Sequence, residues 1–129
     1  VFGRSLGSGP SLYLASRRKV GGVVLEGAFV STFRVLTRVR LLPFDKFNNL
    51  PRVRELQAPL LVIHGEADEV VPFWHGRALY AAASDPKSAY WIPGARHNEY
   101  MMIAQAEYWD RLNAFTDTVR QALPKENHE

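Results

Sequence analysis

The sequence predicts an α/β protein: a parallel sheet with flanking helices. Three observations carry this reading. The runs Gly22-Val23-Val24-Leu25-Glu26 and Pro59-Leu60-Leu61-Val62-Ile63-His64 are nearly continuous in Val, Leu and Ile. That is the pattern of strands covered on both faces. Strand-like runs alternate with helix-like segments along the chain, and such alternation produces parallel strands with right-handed crossovers. Finally, a glycine-containing turn with polar residues follows the strand-like run at three places.

Taken in order, a strand ends at Val1-Phe2. A short helix is predicted over 8–16, with Leu12, Tyr13 and Ala15 as its apolar residues. Pro10 lies just past its first turn, where proline begins to cost a hydrogen bond, so a distorted first turn is expected there. The strand at 22–26 follows. A second helix is predicted over 31–39, carrying Val35, Leu36 and Val39, with Ser31 or Thr32 as N-cap. Residues 41–57 contain Pro43, Asn48, Asn49 and Pro51 and read as a loop or small cap; with the preceding helix, the cap segment covers about 30–57. The strand at 59–64 comes next. Pro72 opens a helix with His75, Ala78, Leu79 and Ala82 on one face. A strand over 88–92 precedes the last helix, about 104–123. That helix places Tyr108, Leu112, Phe115, Val119 and Leu123 at steps of three and four. Pro124 stops it, leaving one domain over 1–124 and a polar tail over 125–129.

Composition narrows the function classes. At 47% hydrophobic and 22% charged, the 129 residues suit a globular domain rather than a disordered chain. No apolar run reaches the roughly 20 residues of a membrane helix. The chain has no cysteine, which excludes disulfides, Cys-rich zinc sites and a cysteine nucleophile. It also fits a reducing, cytoplasmic setting. The net charge is +3, with basic residues concentrated between Arg34 and Arg54. They spread over helix and loop without interleaved aromatics, so they read as a solvated face and not as a nucleic-acid surface. His64, Glu66, Asp68 and His75 have no metal-ligand spacing, and Gly7-Ser8-Gly9 lacks the lysine of a phosphate loop. No metal, cofactor or nucleic-acid partner is expected.

The polar residues after the strands point to chemistry. Phe2 leads into Gly3-Arg4-Ser5-Leu6-Gly7, Ile63 into His64-Gly65-Glu66-Ala67-Asp68, and Ile92 into Pro93-Gly94-Ala95-Arg96-His97. In a parallel sheet the carboxyl ends of the strands share one rim, where ligands bind. Ser5, Asp68 and His97 therefore belong together. A serine is a poor nucleophile until a base takes its proton, a histidine can do so near neutral pH, and a carboxylate orients that histidine. Among the other histidines, His64 reads as packed at a strand end, His75 as packed or capping, and His128 lies in the tail.

The strings GRSLGSGPSLYLAS, LLVIHGEADEVVPFWHGRALY and GARHNEY together resemble the α/β-hydrolase superfamily. Similarity is greatest to its small-cap serine hydrolases, the esterase and depalmitoylase-like branch, and runs from Phe2 to Leu123. The resemblance implies that Ser5 is the nucleophile, Asp68 the acid and His97 the base, with Gly3 and Gly7 flanking the nucleophile elbow. It implies that the Leu6 N–H serves the oxyanion hole. The string Glu26-Gly27-Ala28-Phe29 resembles a loop that lines the pocket, and Phe29, Phe33 and Leu36 are expected beside an acyl chain. The implied activity is cleavage of an ester or thioester, on a small molecule or an acylated protein, through an acyl-enzyme. Strands before the nucleophile and the loop giving the second oxyanion N–H lie outside the sequence, which implies the C-terminal half of such a fold. An inactive fragment and a binding module with an inherited fold are the alternatives. The strand at Val1-Phe2 would then be an exposed edge capable of self-association.

Overall fold

The computed structural model describes residues 1–31 and 48–124. Four parallel strands, β1 (Phe2–Arg4), β2 (Val23–Glu26), β3 (Leu60–Gly65) and β4 (Lys87–Ile92), form one sheet in the order β1-β2-β3-β4. Register runs Phe2 against Val24, Val24 against Leu61, and Leu61 against Ser88. Among the described residues β1 and β4 are therefore the two edges, and Val1 and Phe2 on the first edge are exposed.

The helices are α1 (Ser8–Arg17), α2 (Asn49–Arg54), α3 (Trp74–Ala82), α4 (Tyr100–Ala104) and α5 (Ala106–Ala122). Side chains alternate across the pleat, so each strand feeds both faces. Val23, Leu25, Leu60 and Val62 pack with Leu12 of α1, Val53 of α2 and Leu79 of α3. On the opposite face Val24, Leu61, Ile63, Tyr90 and Ile92 meet Tyr100, Tyr108 and Phe115. Covering both faces is what makes the central strands read as continuous apolar runs. No helix among the described residues is long and apolar enough to cross a membrane.

Part of this reading needs correction. The stretch 49–54, expected as loop, is helical and buries Asn49 and Val53. Pro51 is its third residue, in the first turn, where the amide has no intrahelical acceptor to lose. The distorted first turn expected ahead of Pro10 is present: a 3-10 turn over Ser5–Gly7 runs straight into α1. The final helix runs as expected, over Ala106–Ala122, and a separate short helix, Tyr100–Ala104, which the sequence reading did not include, precedes it. Gln105 adopts φ +50 and separates α4 from α5, so Tyr100 turns toward the strand ends while α5 lays Tyr108 and Phe115 on the sheet. The helix expected over 31–39 and most of the cap segment, residues 32–47, lie outside the described residues, as does the tail, 125–129.

Candidate active site

Ser5 stands at the turn where β1 becomes helix, with φ +50. This left-handed conformation is uncommon for a residue with a Cβ and marks a strained, enforced turn. The Ser8 hydroxyl caps it by donating to the Ser5 carbonyl at 2.7 Å. Asn49 in turn donates to Ser8 Oγ at 3.2 Å and to the Phe29 carbonyl at 2.8 Å, tying α2 to the elbow. Gly3 is sterically required: a Cβ there would lie 2.7 Å from Ser11 Oγ and 2.9 Å from Ser8 Cα. Gly7 is not. Among the described residues a Cβ at Gly7 would meet nothing within 4 Å, and its backbone is ordinary right-handed helix, φ −65. Close approach at the elbow thus depends on Gly3 alone.

The rim brings Ser5, Asp68 and His97 into one chain of hydrogen bonds. His97 Nδ1 lies 2.7 Å from Asp68 Oδ2, and His97 Nε2 lies 3.0 Å from Ser5 Oγ. The acid fixes the tautomer. An ionised carboxylate can only accept, so Nδ1 carries the proton and Nε2 presents its lone pair to the serine hydroxyl. Asp68 Oδ1 accepts the backbone N–H groups of Val70 at 2.9 Å and Val71 at 2.7 Å. Oδ2 also accepts the Tyr100 hydroxyl at 2.5 Å. Burial works to raise the Asp68 pKa, but the hydrogen bonds from Tyr100, His97 and Val71 outweigh it, and the carboxyl is held below its ordinary range. Tyr100 is driven far above the usual phenol range, first by burial and then by its bond to Asp68, so it acts as a donor.

Sequence reasoning missed Tyr100. The available signal was an aromatic three residues after the histidine, at the opening of a helix. Gly27 and Gly65 make room for it: a Cβ at Gly27 would lie 3.2 Å from the Tyr100 hydroxyl, and one at Gly65 2.6 Å from its ring.

His64 and His75 are packed, as expected of them. His64 donates from Nε2 to the Val71 carbonyl at 2.7 Å, which leaves Nδ1 without a hydrogen-bond partner among the described residues. His75 Nδ1 accepts the Val30 N–H at 3.1 Å, and Trp74 stacks on its ring. Burial lowers the His64 pKa against the opposing pull of the Val71 and Asp68 contacts. The folded state therefore disfavours the protonated ring, whereas the unfolded chain takes up a proton at about pH 6.5. His64 contributes stability above that pH, and the contribution is lost as pH falls below it. The melting temperature should drop between pH 7.5 and 5.5, and His64→Gln should reduce that slope; equal slopes in both proteins would refute the assignment.

The pocket expectations fare differently. Glu26 is 4% exposed and Phe29 1% exposed, so neither side chain lines an open pocket. Glu26 sits at the end of a strand buried on both faces, where its carboxylate accepts the Tyr108 hydroxyl and pairs with Arg4. Phe29 fills the interior. Phe33 and Leu36 lie outside the described residues. Leu6 follows the serine and is 64% exposed. Among the described residues no group of three or more His, Asp or Glu could hold a metal ion.

Residues 38–121 match the prolyl oligopeptidase family. The chain belongs to that family. It is accordingly a member of the α/β-hydrolase superfamily. Over 117 residues it is 35% identical to alpha/beta hydrolase domain-containing protein 17B of Homo sapiens, a match covering 89% of this chain and 40% of that protein. It is 36% identical over 118 residues to protein 17C of Mus musculus, with 89% and 36% covered. The prolyl oligopeptidase family chain thus spans well under half the length of these curated relatives. Among solved structures, the esterase domain from a Rhodothermus marinus protein superposes with a TM-score of 0.72 at 22% identity, over 92% of this chain and 58% of that one. Pyrococcus horikoshii acylaminoacyl peptidase gives 0.70 at 15% identity, over 100% and 24%. At these identities the likeness speaks for the fold: a parallel sheet with helices on both faces.

Proposed function

We propose that the chain carries the triad of a serine hydrolase that cleaves a carboxylic ester or thioester. The observation that carries this reading is the continuous path from Ser5 Oγ through His97 to Asp68, at 3.0 and 2.7 Å, with the serine in a left-handed turn. In the first half-reaction Ser5 Oγ bonds to the carbonyl carbon and its proton passes to His97 Nε2. The carbon–oxygen or carbon–sulfur bond then breaks, and the departing atom takes that proton. Water repeats the sequence on the acyl-enzyme and restores the serine. Asp68 stays ionised and stabilises the imidazolium formed in each half. The Leu6 N–H, adjacent to the nucleophile, would donate to the oxyanion.

A fluorophosphonate probe tests the nucleophile directly. Labelling should occur in the native protein and disappear in Ser5→Ala; labelling that survives the substitution would overturn the reading.

Membership of the prolyl oligopeptidase family favours a second reading, in which the acyl group is released from an amide. The same serine, histidine and acid would serve. Turnover of aminoacyl p-nitroanilides above that of p-nitrophenyl esters would select it.

A further inference from the structure

The strand order poses a problem for the proposed triad. Among the described residues Ser5 follows β1 at one edge of the sheet, and His97 follows β4 at the other, with β2 and β3 between them. Neighbouring strands lie about 4.8 Å apart, so the histidine loop must reach roughly 14 Å across the rim to meet the serine. At β3 the loop is held by the Tyr100 bond to Asp68. Something must hold its far end against β1.

That tie comes from the residue bonded to the nucleophile. Arg4 Nη2 donates to the His97 carbonyl at 3.1 Å and to Asn98 Oδ1 at 3.2 Å. The same guanidinium places Nε 3.0 Å from Glu26 Oε2, at the end of β2. The Glu26 carboxylate is buried, and its other oxygen accepts the Tyr108 hydroxyl of α5 at 2.8 Å. A buried carboxylate needs a paired charge and satisfied lone pairs, and it has both. The contacts radiate from a planar fork, which a lysine ammonium cannot reproduce in this fixed geometry.

We propose that Arg4 is a positioning residue: it pins the His97 backbone to the nucleophile strand and thereby sets the distance from Nε2 to Ser5 Oγ, with Glu26 as its buried counter-charge. This rests on the reading of Ser5 as nucleophile. It also gives Glu26 a role in place of pocket lining. The guanidinium is already engaged by Glu26, the His97 carbonyl and Asn98, so its task is to hold the loop and not to recruit an anionic substrate.

The test compares Arg4→Met, Arg4→Lys, Glu26→Gln and the Arg4→Met/Glu26→Gln double variant. For each, kcat and KM on a short p-nitrophenyl ester, the rate of fluorophosphonate labelling and the melting temperature are measured, with kinetics taken well below melting. A loop displaced by about 1 Å can cost about 10²-fold, so Arg4→Met should lose about 10–10²-fold in kcat and in labelling rate, with KM within about twofold. Arg4→Lys should lose several-fold, because its charge remains but the fork does not. Glu26 acts through Arg4, so the double variant should be no slower than Arg4→Met alone. Wild-type kcat and labelling in folded Arg4→Met would overturn the proposal, as would a raised KM at unchanged kcat or additive losses in the double variant. If Arg4→Met does not fold, wild-type kcat in Arg4→Lys overturns it equally. Absence of labelling in the native protein would instead strike at Ser5 as nucleophile, so the two failures are distinct.

Discussion

On the proposed mechanism, Asp68→Asn is expected to lower kcat/KM about 10⁴-fold while leaving the fold intact. The hydrogen bonds around Asp68 show why. Oδ1 accepts two backbone N–H groups, from Val70 and Val71. An asparagine will direct its carbonyl oxygen to these fixed donors, because turning its amide toward them would set donor against donor. Its NH₂ group must then occupy the place of Oδ2, facing His97 Nδ1. There the imidazole can only accept, so its proton moves to Nε2 and points at Ser5. The serine loses its base, although no atom has been deleted and the loop geometry is kept. Kinetics on a p-nitrophenyl ester together with a melting curve check this. A loss below about tenfold at an unchanged melting temperature would mean that Asp68 does not set the tautomer.

The fold and the site differ in how much of each the sequence discloses. Strands β2 and β3 were legible because burial on both faces writes itself as unbroken Val, Leu and Ile. The rim positions of Ser5, Asp68 and His97 followed from strand ends, which the same runs locate. The supporting contacts were less legible. Arg4, Glu26, Tyr100 and Tyr108 act across 22 to 94 positions of sequence, and no local period records a bond between distant elements. Glu26 misled for a physical reason: a carboxylate at a strand end looks like a rim residue facing substrate, and only the converging guanidinium and phenol show that it faces inward. Asn49 and Pro51 misled differently, since residues that mark loops also suit the first turn of a helix.

Glycines make the same point sharply, and they supply the second large effect. Gly7, flanking the nucleophile, looks indispensable in the sequence, while Gly65, after a strand, looks ordinary. The structure reverses this. A Cβ on Gly65 would overlap the Ala95 carbonyl oxygen, lie 2.9 Å from the Ala95 carbonyl carbon and come within 2.6 Å of the Tyr100 ring. The first two are backbone atoms of the loop that carries His97, and that carbonyl also accepts the Ala67 N–H. Relief is possible only by moving the loop or the ring, and either move disturbs the Tyr100, Asp68 and His97 contacts. Gly65→Ala should therefore cost about 1–3 kcal/mol in stability. On the proposed mechanism it should also lose about 10²-fold in kcat, because a loop displaced by about 1 Å misaligns His97 with Ser5. Gly7→Ala, with open space and a helical backbone, should leave the stability unchanged or raise it through the unfolded state by roughly 0.4–1 kcal/mol. Denaturation curves of the two variants, run side by side, decide the matter. Equal stability would show that the His97 loop yields to a methyl group, and the rigid rim that holds His97 to Ser5 would have to be given up with it.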